Sequence, residues 1–241
     1  MNPISQKKKR TFEKFTEEIK QLFDRELISI ILYGSSASTD YIPKKSDINF
    51  LVVLTKKGIE KIGGAQKFID RWNRRAISIP LFLTKEYIKG SLDSFPIEFL
   101  NMQSAYQIIF GEDVLKDLKI NEKDLRLQCE RELKGKLLLL RQGFIMTRGK
   151  RRELRALINR SIITFISIFC GLLYLKNIEI PKTKQEILLS TCREFGLDEA
   201  LFSILISLRG TKVKLHQSQL EQNCLKYISE IEKLSECIDQ L

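Results

Sequence analysis

The sequence holds a single histidine, His216, and its five cysteines are odd in number, widely spaced and free of any C-x-x-C pair. One histidine rules out a histidine-rich metal centre. The cysteine spacing argues against a zinc site or a disulfide framework, so Cys129, Cys170, Cys192, Cys224 and Cys237 are expected to be reduced thiols. No apolar run reaches the ~20 residues needed to span a bilayer. The most apolar stretch, SIITFISIFCGLLYL at 161–175, is shorter and carries two serines and a threonine, so it reads as a buried core helix. The opening MNPISQKKKR is polar and basic with no apolar run after it, unlike a secretory signal. A cytoplasmic protein with no membrane partner is expected. No internal repeat or low-complexity tract is present. Acids are also scarce relative to bases: 30 Asp and Glu against 41 Lys and Arg leave a net charge of +11 and a pI near 9.4. That surplus favours polyanionic partners such as nucleotides, nucleic acid or an acidic protein.

What is present is globular. Apolar residues make up 43% of the 241 residues, enough for one large or two small cores. Residues 11–25 read as a helix, with Phe12, Phe15, Ile19, Leu22 and Phe23 at helical spacing. The period then changes. LISIILY (27–33) and INFLVVL (48–54) are continuous and β-branched, as buried strands are. Residues 56–75 suggest a helix interrupted near Gly63-Gly64. ISIPLFLT (77–84) is a third strand candidate, and its proline makes it an edge strand or a broken one. Residues 85–92 read as a short connector or helix, and FPIEFLNM (95–102) as a fourth strand candidate. SAYQIIFGED (104–113) leads into a turn at Gly111. After about residue 121 only helical periodicity remains, over roughly 122–147, 151–176, 183–195, 198–209 and 217–239. The expected fold is α+β: a mixed β-sheet flanked by helices over 1–118, followed by an all-α helical bundle over 119–241.

The segment with chemistry in it is ILYGSSASTDYIPKKSDINFLVVL (31–54) with Ile30 before it. Gly34-Ser35-Ser36 directly follows a buried strand. A glycine lets backbone approach a phosphate closely, and serine hydroxyls and amide N–H groups donate to phosphate oxygens. Asp47 comes thirteen residues after Gly34, preceded by Ser46, at the mouth of the second strand. Asp47 and Asn49 are two apart, so in a strand they share a face, while Ile48 and Phe50 point into a core. Two oxygen-bearing side chains opposite a glycine turn suit Mg²⁺ held against a triphosphate.

These residues, GSSASTD and then SDINFLVV, resemble the nucleotidyltransferase superfamily that shares its core with DNA polymerase beta, in the small bacterial and archaeal type. The resemblance is tight over roughly 25 residues and looser over 30–115. It implies a nucleotidyltransferase-type sheet and transfer of a nucleoside monophosphate from an NTP, ATP by preference, to the hydroxyl of an acceptor. It further implies Mg²⁺ or Mn²⁺ held by three carboxylates. Asp47 matches the first. The second position is Asn49 here, an amide that brings no charge. The third is assigned to Glu98, in a strand-like run, with Asp93 as the alternative. The implied site is thus Asp47 and Glu98 as catalytic residues, Gly34, Ser35, Ser36 and Asp47 on the nucleotide, and Asp47, Asn49 and Glu98 on the metal. Ser38 and Thr39 stand where such proteins often show arginine and glycine; Asp40 fits the acid that often follows, with turn capping its expected role. Three readings stay open: an active enzyme with a weakened metal site, a nucleotide-binding or antitoxin-like regulatory module without turnover, or a scaffold that has lost both capacities.

The helical half adds two further signals. Residues 134–160 hold nine Lys and Arg against Glu153 alone, a local charge of +8, and RGKRRELR (148–155) spans the expected turn between two helices. Nucleic acid could be held there, although only Phe144 is nearby for base stacking. Arg209 and His216 form an R-x6-H spacing similar to that of helical toxin ribonucleases, but Gly210 breaks it and a surface histidine is the better reading. The final segment places Leu220, Cys224, Tyr227, Ile228, Ile231 and Leu234 on one stripe, a core helix or a homodimer contact.

Overall fold

The computed structural model describes residues 6–37, 48–73, 77–209 and 215–238. The chain divides into two compact units, Met1–Leu92 with Asn101–Lys119, and Asp93–Leu100 with Ile120–Leu241.

The first unit is built on a four-stranded mixed sheet in the order β3-β2-β1-β4, with β1 at Leu27–Tyr33, β2 at Asn49–Leu54, β3 at Leu81–Leu83 and β4 at Tyr106–Gly111. β1 pairs antiparallel with β2 and β4, and β2 runs parallel to β3. α1 (Gln6–Phe23) lies along one face of this sheet, because Phe12, Phe15, Ile19 and Phe23 recur on one side of the helix and are all buried. Phe15 stacks on Phe50 of β2 with ring centroids 4.3 Å apart, and it meets Trp72 edge-on at 5.7 Å. Trp72 belongs to α3 (Gln66–Asn73), which follows α2 (Lys56–Glu60) and a 3₁₀ turn at Ile62–Ala65. The interruption falls at Gly63-Gly64, as the sequence suggests. The Trp72 indole N–H donates to the Glu18 carboxylate at 2.9 Å, and Arg71 pairs with the same carboxylate. α1 and α3 are thereby tied by one buried ring and one shared acid.

β1 and β2 are buried on both faces. Ile30, Leu32, Phe50 and Val52 join the α1 core, and Ile31, Leu51 and Val53 on the opposite face are equally inaccessible. This explains why their sequences are continuous apolar runs rather than alternating ones. β3 is an edge strand of three residues directly after Pro80, as its missing N–H demands.

Residues 95–102 correct the sequence reading. They form no strand but the helix α5 (Pro96–Ser104), which follows α4 (Lys85–Gly90). Pro96 occupies the first position, where a helix needs no N–H, and Glu98 lies in the first turn. Ile97, Phe99, Leu100 and Met102 are all buried, so the helix is apolar on more than one side and its periodicity is hidden. The fourth strand is instead β4. It ends at Gly111 with φ +79°, where a Cβ would run into the Ile28 carbonyl oxygen. The Ser29 hydroxyl donates nearby to the carbonyls of Phe110 and Glu112 at 3.1 and 2.7 Å.

The second unit is helical: α6 (Glu122–Thr147), α7 (Arg151–Leu175), α8 (Lys184–Phe195), α9 (Glu199–Ser207) and α10 (Gln217–Ile238). Asn121, Thr183 and Asp198 cap α6, α8 and α9 through their side-chain oxygens, and Thr183 with Glu186 completes a capping box. α7 packs against α6, α8, α9 and α10. By length and composition it is the one helix among the described residues able to cross a membrane, yet 61% of its most apolar window is buried in the unit. Phe165 of α7 and Phe202 of α9 both meet Tyr227 of α10 edge-on, at 6.0 and 5.7 Å. The α10 stripe of Leu220, Cys224, Tyr227, Ile231 and Leu234 is therefore consumed by the core of its own unit.

Gly111→Ala is expected to destabilise the first unit by on the order of 3 kcal/mol, since it combines left-handed strain with a backbone clash; a urea unfolding midpoint unchanged from the parent would contradict the assigned β4 geometry. Burial pushes the Cys129, Cys170, Cys192 and Cys224 thiols up to about 12. A thiol whose folded pKa is raised keeps its contribution to stability below its unfolded pKa of about 8.5 and loses it as pH climbs through the folded value. Urea midpoints should therefore fall between about pH 9 and 12. At pH 8 a thiol reagent should modify only the half-buried Cys237 in the native protein.

Candidate functional site

The site expected from sequence begins where β1 ends. The backbone turns at Gly34 with φ +73°, a left-handed conformation that a side chain disfavours, and Gly34–Ser36 form one 3₁₀ turn. Several bonds hold this turn. The Gly34 N–H donates to the Ala105 carbonyl at 2.9 Å, the Ala37 N–H to the Gly34 carbonyl at 2.9 Å, and the Ser36 hydroxyl to the Tyr33 carbonyl at 3.3 Å. Ser36 thus spends its proton on closing the turn.

Asn49 lies directly opposite. It opens β2 and pairs in register with Tyr33, the last residue of β1. A Cβ on Gly34 would stand 3.7 Å from the Asn49 amide nitrogen, so turn and amide are in immediate proximity. Ile48 and Phe50 face the α1 core, and Asn49 projects to the opposite side, as the two-residue period requires. Tyr33 also neighbours Tyr106 of β4 in register. Burial raises the Tyr33 pKa; burial first, and then the hydrogen bond to Asp113 at 3.0 Å, raises that of Tyr106. Both rings stay neutral phenols at ordinary pH, and this pair of tyrosines at the turn was not legible in the sequence, because only strand register brings them together.

The carboxylates are distributed differently. Asp47, with Ser38, Thr39, Asp40 and Ser46, lies outside the described residues. Glu98 sits in the first turn of α5, and its carboxylate accepts a hydrogen bond from the Gln128 amide at 2.8 Å, while the Gln128 side-chain oxygen accepts from the Ile97 N–H at 2.8 Å. The strand that motivated Glu98 is a helix, and that residue groups with the helical unit. The strand parallel to β2, with its approach from Ile77 to Thr84, contains no acid at all. No cluster of three His, Cys, Asp or Glu capable of holding a metal exists among the described residues. Among the described residues the donors next to the turn are the neutral Asn49 amide and the Tyr33 and Tyr106 phenols.

The basic segment 148–155 occupies the α6–α7 turn, where Arg148 closes α6 in the left-handed region with φ +51°. The Arg151 Nε–H donates to the Leu215 carbonyl at 3.0 Å, and Arg155 Nη2 donates to the Leu208 carbonyl at 2.7 Å. These two guanidiniums bond the backbone just after α9 and just before α10, a use that differs from phosphate contact. Arg209 follows α9, and His216 precedes α10 and is exposed; Gly210 lies outside the described residues.

The mixed sheet with a glycine turn at the end of β1, followed by a helical unit, is an α+β fold with a solved counterpart. The likeness is to the crystal structure of spectinomycin adenyltransferase AAD(9) from Enterococcus faecialis with ATP and spectinomycin, at a TM-score of 0.53 and 12% identity, covering 92% of this chain and 99% of that one. At that identity the likeness is one of fold. No family model matches the sequence, and no curated protein does.

Gly34→Ala should cost about 1–2 kcal/mol through left-handed strain alone, since the added Cβ would make only ordinary contact with Asn49. Gly34→Asn should cost less, because asparagine tolerates that region. Equal unfolding midpoints for the two variants would argue against the left-handed turn.

Proposed function

We propose that the chain binds a nucleoside triphosphate, ATP by preference, at the Gly34–Ser36 turn and transfers its nucleotidyl group to a hydroxyl of a small-molecule or protein acceptor. The observation that carries this reading is the left-handed Gly34 turn set against Asn49 on a nucleotidyltransferase fold. The solved relative in fold holds ATP and a small-molecule acceptor, which supports the substrate classes. In the reaction the acceptor oxygen bonds to the α-phosphorus while the bond from that phosphorus to the α–β bridging oxygen breaks. Pyrophosphate leaves with the electron pair, and the hydroxyl proton passes to a carboxylate, a role we assign to Asp47. The Asn49 amide orients a phosphate oxygen by donating a hydrogen bond. Magnesium enters as the counter-ion of the triphosphate, part of the substrate. A cytoplasmic setting accords with NTP supply.

A second reading, nucleotide binding without transfer, is favoured by Asn49 and by the absence of an acid on the β3 segment. Calorimetry with Mg·ATP and label transfer from α-labelled NTPs to candidate acceptors separate the two. Transfer is expected, and Asp47→Ala should reduce it at least ~100-fold. Activity that survives Asp47→Ala sinks the assigned carboxylate. Binding with no transfer to any acceptor favours the second reading, and the absence of binding refutes both. Asn49→Asp should tighten divalent-ion affinity by adding a charge.

A further inference from the structure

We infer that the exposed face of the C-terminal half of α6 docks an acidic amphipathic helix of a partner protein. Leu138, Leu139, Ile145 and Met146 are 58%, 65%, 75% and 80% exposed. They stand at i, i+1, i+7 and i+8 of one helix, so they form a single stripe about two turns long. Scattered exposed leucines need no explanation, but a contiguous row of large aliphatic side chains marks an interaction surface. The exposed Gln142 is the residue between them on that face.

Charge decides what covers the stripe. Lys134 at its start is paired with Glu130 at 2.7 Å, and the exposed Arg148, Lys150 and Arg152 stand just beyond its end. No ion pair joins Arg148, Lys150 or Arg152 to an acid among the described residues. The acids along the stripe are already engaged: Glu130 by Lys134, Glu132 by Lys136 and Glu232 by Arg141, while Glu153 and Glu221, whose carboxylate lies by Gly149, stand near its end. The net charge of +11 sets two copies of this chain against each other, which disfavours self-association on this face. Interfacial lipid helices combine leucine with Trp or Phe anchors, and this stripe of Leu138, Leu139, Ile145 and Met146 carries no aromatic anchor. A helix with a leucine-type face flanked by Asp and Glu satisfies both the stripe and its rim. Methionine adapts well to such a ligand.

The test uses the full chain and a labelled peptide of about 20 residues, long enough to form a helix, with a leucine face flanked by Glu, and a twin with Lys at every Glu. Fluorescence anisotropy at low salt should show the acidic peptide binding about tenfold tighter than its twin, with the gap narrowing as salt rises. The double variant Ile145→Glu, Met146→Glu should lose the acidic peptide while keeping its melting temperature, since both positions are exposed. Arg148→Glu with Arg152→Glu should invert the preference between the twins. Equal binding of the twins, or none of the acidic peptide, overturns the inference. So does uptake by phosphatidylglycerol–phosphatidylcholine vesicles that the double variant abolishes, which assigns the face to lipid. Dimerisation in sedimentation that the same variant abolishes would assign it to a second copy.

Discussion

The pairing of β1 with β2 is the constraint from which the rest of the first unit follows. Both strands are buried on both faces, so a slip of one residue would carry Asn49 into the α1 core and push Phe50 out of it. The Phe15–Phe50 stack penalises that slip, because the ring has no other place of comparable fit. Register in turn sets Tyr33 against Asn49 and closes the chain at Gly34. The position of the turn is thus an outcome of core packing several residues away from it.

The described part of the candidate site carries little charge. Hard cations are held by several anionic oxygens, and the described part of this site presents a neutral amide, two neutral phenols whose pKa burial raises further, and a β3 segment without acids. Glu98 is engaged by Gln128 at the start of α5, a contact that belongs to helix packing. Positive charge, by contrast, concentrates at the α6–α7 turn of the other unit. There some guanidiniums satisfy backbone carbonyls and others flank an exposed aliphatic stripe.

Most helix limits were legible because punctuation residues act locally. Asn121, Thr183 and Asp198 cap by reaching their own backbone, Gly149 and Gly196 sit where α6 and α8 have ended, and the Gly63-Gly64 pair interrupts its helix at the place expected from the sequence. The failure at 95–102 has an equally physical cause. Ile97, Phe99, Leu100 and Met102 are buried on more than one side, so neither the 3.6 nor the 2.0 period shows. Pro96 was a valid first-turn signal that a strand reading passes over. The strand at 106–111 was missed because a half-exposed edge strand has a broken pattern, and Gly111 was read as a turn when it is the point of closest approach to Ile28.

The sequence by itself determined an α+β half followed by a helical half, two buried neighbouring strands, a glycine turn after the first of them, and an uncharged amide at Asn49. These are properties of period, punctuation and residue type, which the chain carries locally. Only the tertiary structure decided that the parallel neighbour of β2 brings no carboxylate, that Glu98 sits on a helix bonded to Gln128, that Tyr33 and Tyr106 flank the turn, and that the α10 stripe is used inside its own unit. Each of these depends on which distant segment lies alongside which, and strand register and helix packing settle that through burial shared by residues far apart in the chain.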